Sequence, residues 1–237
     1  MAWSANPTQH YDKESSEARG NVDEIYRLLA YASAWADEGY NFNWTLNAIC
    51  ALLGSVHGES KYNPWLWQNN YIPSFAEYQS WLSDYQPEHA YGLVQFDPSS
   101  DYIERSPNAY NTAHFSDRTG TPQDGEYQIK CVVNTMGEQW YDFTHRYPIT
   151  FEQFATGNYS LYDLTAAWVL NYERPYGYDD PSIIDPEINA RYEIAQYWYN
   201  ILSGEDPPDP PVPPVPPTPT DSERHIKPWW YTRFIRR

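Results

Sequence analysis

The stretch HGESKYNPWLWQ, His57 to Gln68, lies where an apolar helix has to stop. Upstream, Leu46, Ile49, Cys50, Leu53 and Val56 recur at helical spacing, which predicts a central core helix ending near Gly58. Downstream, Asn63-Pro64 predicts a tight turn, because proline drives the residue before it out of helical backbone. Glu59 follows Val56 by three residues and Leu52 by seven, so its carboxylate projects towards the edge of the apolar face. The end of a helix carries partial negative charge from unpaired carbonyls. Trp65 and Trp67 follow closely enough to wall the side chain off from water. Both circumstances favour the protonated carboxyl, which is the form a general acid needs.

The rest of the chain supplies the frame. Apolar spacing predicts helices over 22–38, 74–84, 122–146 and 150–156. Another runs from the Ser160/Asp163 cap to Pro175, and a last one from Asp185-Pro186 to Gly204. Between them, HAYGLVQFDPSS (89–100) is short, aromatic and β-branched and closes in Asp97-Pro98, so it reads as one arm of a small β-hairpin. Residues 101–120 offer no element. The expected class is therefore α+β, a mostly helical domain with a small β-hairpin. Four segments follow: an N-terminal arm over 1–21, partly ordered at best; a domain over 22–204; a polyproline linker over 205–220; and a basic aromatic tail over 221–237. The arm has neither the basic start nor the apolar stretch of a secretory signal.

Composition narrows the classes of function. The net charge of −17 argues against nucleic acid, whose phosphates require a basic face. The negative charge belongs to the body, since residues 221–237 carry five Lys/Arg against two acids. Cys50 and Cys131 lack metal-ligand spacing and read as buried thiols or, failing that, a long-range disulfide. Cys50 falls on a core face and Cys131 in mid-helix, away from the helix N-termini that activate nucleophilic thiols. No His/Cys pattern or Gly-rich phosphate loop calls for a metal or another cofactor. Aromatic residues make up 18% of the chain, enough for a Trp- and Tyr-rich core with some flat rings left to line a sugar groove.

Three motifs occur in order: Glu59-Ser60-Lys61-Tyr62-Asn63-Pro64, Tyr91-Gly92-Leu93-Val94-Gln95-Phe96-Asp97 and Asn171-Tyr172-Glu173-Arg174-Pro175. Together, over residues 22–203, they resemble the lysozyme-like peptidoglycan hydrolases, which include goose-type lysozymes and soluble lytic transglycosylases. The likeness is greatest to the lysozyme domains of phage tail proteins. The resemblance implies that Glu59 protonates the glycosidic oxygen between N-acetylmuramic acid and N-acetylglucosamine. It implies that Tyr91, Gly92, Leu93 and Gln95 line the cleft, with Tyr172 and Glu173 beside it. Asp97 lies where goose-type enzymes place an acid that orients water. Serving as base, it would make the reaction inverting, with the two carboxyls roughly 6.5–9.5 Å apart. Asp97 reads equally as the start of the Asp97-Pro98 turn, and Glu173 is its rival. A transglycosylase needs no second acid, because the sugar's own hydroxyl closes the product.

The linker DPPDPPVPPVPPTPT (206–220) favours extended polyproline II, at about 3.1 Å per residue a spacer roughly 40–50 Å long. Beyond it, KPWWYTRFIRR mixes cations with large aromatics. Docking on a partner protein through Trp229 and Trp230, binding an anionic surface, and disorder are the three readings. The spacer favours docking on a phage tail or virion protein. The expected function is thus a virion-associated, tail-borne enzyme, made in the host cytoplasm, that opens bacterial peptidoglycan during genome entry. The alternative is a non-catalytic tail structural or wall-binding module on the same fold.

Overall fold

A computed structural model describes residues 3–6, 9–70, 90–95, 123–140, 146–173, 175, 177 and 179–204 of the chain. Helix α1 spans Ser16–Ala30 and starts six residues earlier than its apolar stripe suggested, because Ser15 caps it by accepting from the Ala18 N–H at 3.1 Å. Helix α2 spans Leu46–Ser60 behind a Thr45 cap, and every residue from Ala48 to Val56 is buried. Helix α3 spans Gln123–Gln139, α4 Phe151–Thr156 and α5 Leu161–Trp168. The chain leaves α5 through a π-helical turn, Val169–Glu173. Helix α6 spans Pro181–Ser203. It opens on Asp180-Pro181, five residues before the expected Asp185-Pro186. Both pairs carry the same cap-and-proline signature; Asp180 accepts from the Ser182 N–H at 2.9 Å, and Pro186 is absorbed inside the helix.

Helix α2 is the axis of the domain. Helix α6 packs along it most extensively and α5 next, while α1 covers another side and also meets α3. The aromatic surplus fills this core. Trp140, Phe154 and Trp168 interlock at 5.2–6.1 Å between ring centroids, and Trp44 meets Phe154 edge-on at 5.5 Å. Cys50 and Cys131 are buried free thiols. Burial pushes Cys50 well above the ordinary thiol range, so it is no nucleophile. The N-terminal arm is better fixed than its polarity suggested. Trp3 and Tyr11 enter the core, and buried Asn21 holds Ser4 through both its amide oxygen and its amide nitrogen at 2.7 Å.

Among the described residues the expected β-hairpin is absent, so the expected α+β class gives way to a helical one. The described residues are mostly helical and contain no strand or sheet, only an isolated antiparallel bridge between Trp67 and Tyr91. Two backbone bonds flank it, Gln68 N–H to Ala90 O at 2.8 Å and Gly92 N–H to Leu66 O at 2.9 Å. Alternation of aromatic and β-branched residues suggested an extended arm, but Gly92 and Gln95 take positive φ values of 85° and 47°. The Gln95 N–H folds back on Gly92 O at 3.1 Å, so the segment curls instead of extending. The rest of that expected arm, 96–100, lies outside the described residues, as do the expected helix 74–84 and the region 101–120. The linker and tail lie outside them too. Among the described residues no helix is long and apolar enough to cross a membrane.

Candidate active site

The turn after α2 is built residue by residue from its motif. Ser60 is buried, and its hydroxyl shares its one proton between Val56 O and Leu93 O, at 3.1 and 2.9 Å. Lys61 and Tyr62 both take left-handed backbone, with φ of 52° and 63°, which ends the helix and reverses the chain. Tyr62 is fully buried, and its hydroxyl accepts from the Trp198 indole N–H of α6. Asn63 donates to Asn6 O and Gln9 O and accepts from the Trp65 N–H at 3.0 Å, which ties the arm to the turn. Pro64 presents its carbonyl to the Gln128 amide at 2.6 Å, while the same side chain accepts from the Leu93 N–H at 2.7 Å. Buried Gln128 therefore clamps the turn to the 90–95 loop. Gly92 has to be glycine there: a Cβ would stand 2.5 Å from Gln128 Oε1, besides straining the backbone.

This scaffold holds Glu59 over a cavity of about 380 Å³ whose walls include Glu59, Glu173, Trp67, Gln68, Asn69 and Gln95. The size suits a ligand cleft, roughly 300–1,000 Å³. A second hollow, about 250 Å³ and lined by Thr45, Asn47, Thr156, Asn158 and Tyr199 among others, shares no residue with it and holds no acid or cation.

Of the residues singled out in the sequence, the fold brings Glu59, Gln95 and Glu173 together at this cavity. Tyr91, Gly92 and Leu93 are buried behind it, Tyr91 with its ring 4.6 Å from that of Trp67. Tyr172 packs on Trp168 at 4.7 Å. Gln95 donates its amide to Leu66 O and Gly92 O, at 3.1 and 2.9 Å, so it shapes the loop as well as lining the cavity. Asp97 lies outside the described residues.

Arg191 was not singled out in the sequence and is central to the site. It reaches across from α6, its Nη2 donating to Glu59 Oε1 at 2.7 Å. The same nitrogen is 3.6 Å from Glu173 Oε2, and Nη1 is 3.8 Å from Glu187 Oε2. Gly54 and Gly58 let it in. A Cβ at Gly54 would stand 2.3 Å from the Arg191 carbonyl oxygen, and one at Gly58 would stand 2.0 Å from the guanidinium carbon. Two signals were available: Gly54-x-x-x-Gly58 on a core helix, and Arg191 as the one Lys or Arg between 181 and 203.

Burial raises the proton affinity of Glu59 above that of an ordinary glutamate; Arg191 pulls the other way and does not win. Burial and then the nearby charge of Glu59 push Glu173 up to about 7. Glu173 Oε1, Arg191 Nε and Ser55 Oγ are all buried without a hydrogen-bond partner. Ser55 stands near enough to favour the charged form of Glu173 without closing a complete bond to it. His57 is driven down to about 4, chiefly by burial, and is neutral at pH 7. Among the described residues no cluster of His, Cys, Asp or Glu could hold a metal ion. The arrangement suits proton delivery from a carboxyl into a cleft.

Residues 31–202, more than half of the chain, match the family described as phage tail lysozyme. Morphogenesis protein 1 of Bacillus phage B103 is 28% identical over 165 residues, which make up 68% of this chain and 36% of that protein. The chain thus spans about a third of the length of that curated relative.

Proposed function

The chain belongs to the phage tail lysozyme family, and from that premise we propose that it cleaves the glycan of bacterial peptidoglycan with Glu59 as general acid. It is a phage-associated, lysozyme-like protein. The observation that carries the finer reading is the Glu59 carboxyl, held at a cavity of about 380 Å³ in surroundings that favour its proton. Delivered to the oxygen between N-acetylmuramic acid and N-acetylglucosamine, that proton assists departure of the leaving sugar. Gln68 and Asn69 on the walls, with the amide oxygen of Gln95, offer hydrogen-bonding groups to sugar hydroxyls and acetamido groups. The positive charge left on the muramic ring is closed by water or by that sugar's own 6-hydroxyl. Asp97, two residues past the described loop, is the acid proposed to orient the water.

Glu173 does not suit that second role. Its nearer oxygen and that of Glu59 flank one guanidinium nitrogen, so they stand no further apart than the sum of those two contacts, about 6.3 Å. The nitrogen occupies the space a nucleophilic water would need.

Incubation of the purified protein with purified peptidoglycan, followed by mass analysis, tests the reading. Soluble fragments with reducing muramic ends identify a hydrolase, and 1,6-anhydro ends identify a transglycosylase. Release of neither, with binding retained, would replace the enzyme by a wall-binding module.

The tail belongs to the same proposal. Trp229 and Trp230 dock on another virion protein and the polyproline spacer sets the enzyme apart from it, so that the wall is opened locally during genome entry. Particles assembled with a chain cut after residue 205 should lose the enzyme. Full retention would end the docking proposal.

A further inference from the structure

Three carboxylates surround one fixed cation. Arg191 donates to Glu59, approaches Glu173 at 3.6 Å and Glu187 at 3.8 Å, and its side chain is only 12% exposed. Glu173 is 10% exposed and Glu59 27%, whereas Glu187 at 44% is largely screened by water. Few other charges act here. Lys61 faces Glu59 from the chain just past α2, Glu187 and Arg191 face it from α6, and Glu173 from the π-helical turn. His57, on α2 itself, is neutral.

Charge balance decides what such a group can do. One buried guanidinium neutralises one carboxylate. A second carboxylate beside it would be an uncompensated buried charge, which a dry site strongly disfavours. The Glu59–Glu173 pair therefore gives up its first proton readily and its second reluctantly, and the two titrate as a unit.

Resting on the reading of Glu59 as the acid, we propose that Glu173 is a positioning residue: by taking its share of Arg191, it keeps on the pair the proton that Glu59 delivers. Without Glu173, the full charge of Arg191 would fall on Glu59 at hydrogen-bond distance. Glu59 would then be ionised at the pH where it has to act. With Glu173 present, Arg191 holds the Glu59 carboxyl in place without stripping it. The proton affinities agree in direction: Glu59 and Glu173 both lie above an ordinary glutamate, chiefly through burial, and the charge of Glu59 further raises Glu173.

The test compares wild type with Glu173→Gln and Arg191→Met. The rate of wall cleavage is followed against pH, and the Glu59 carboxyl carbon is titrated by NMR in the same proteins. Glu173→Gln should move the basic limb of the profile, and the Glu59 titration, down by about one unit. Arg191→Met removes the cation and should move both up. Uniform loss of rate with an unmoved limb and an unmoved titration would mean that Glu173 only props the fold, and would overturn the proposal. So would shifts of the opposite sign. If Glu173→Gln does not fold, the same two readings in Glu173→Ala decide in its place. If wild type cleaves no wall, the proposed function fails, but the Glu59 titration still reads this inference.

Discussion

Glu59→Gln loses wall cleavage by a factor of about 10²–10⁴, the usual contribution of a positioned general acid. The amide has the shape of the carboxyl and keeps an oxygen that can accept from Arg191 Nη2, so the anchoring bond survives. Arg191 retains Glu173 and Glu187 as counter-charges, so no buried cation is orphaned. What disappears is the transferable proton. Turbidity loss of purified walls and a thermal melt of the same sample separate the two effects: cleavage collapses while the melting temperature stays within a few degrees. Cleavage within a few-fold of wild type would remove Glu59 from the chemistry.

Gly54→Ala has the largest expected effect on stability. Its new Cβ meets the Arg191 backbone oxygen at 2.3 Å and the Ala195 Cβ at 3.3 Å, neither of which can swing away. Helices α2 and α6 have to separate along their most extensive contact. Overpacking of this kind costs about 1–3 kcal/mol. Urea denaturation should show a lower midpoint at unchanged slope. Two glycines serve as controls. Gly20, on α1, has nothing within 4 Å of where a methyl would stand, so Gly20→Ala should be neutral or stabilise by about 0.5–1 kcal/mol. Gly58→Ala collides with the guanidinium at the far end of a flexible side chain, which can move. It should cost less stability than Gly54→Ala yet dislodge Arg191 from Glu59. Equal stability of Gly54→Ala and wild type would mean that the close α2–α6 approach is not needed.

The core and one half of the site were legible because both are local. The apolar period of Leu46 to Val56 identified the buried helix, and the chemistry of Asn63-Pro64 identified the turn that stops it. Glu59 was found because its environment is set by residues within a few positions of it. Arg191 was missed because its meeting with Glu59 joins residues 132 apart in sequence and depends on two glycines whose purpose shows only once α6 lies against them. Gln128 was missed for the same reason: a polar residue inside a helical stripe reads as a surface position until both of its amide atoms are found clamping other segments. The hairpin was misread because aromatic and β-branched alternation outweighed Gly92, whose positive φ turns the chain. The N-terminal arm was underrated because its polar residues, Asn6 and Gln9 among them, are tied down through their backbone carbonyls, which accept from the Asn63 side chain.

The most direct measurement is the pH titration of the Glu59 carboxyl carbon in the wild-type protein, followed by NMR. The expected midpoint lies above that of a free glutamate side chain, because burial, with help from the charge of Glu187, outweighs the pull of Arg191. A midpoint at or below the free side chain would mean that Arg191 holds Glu59 as a plain ion pair with no proton to give.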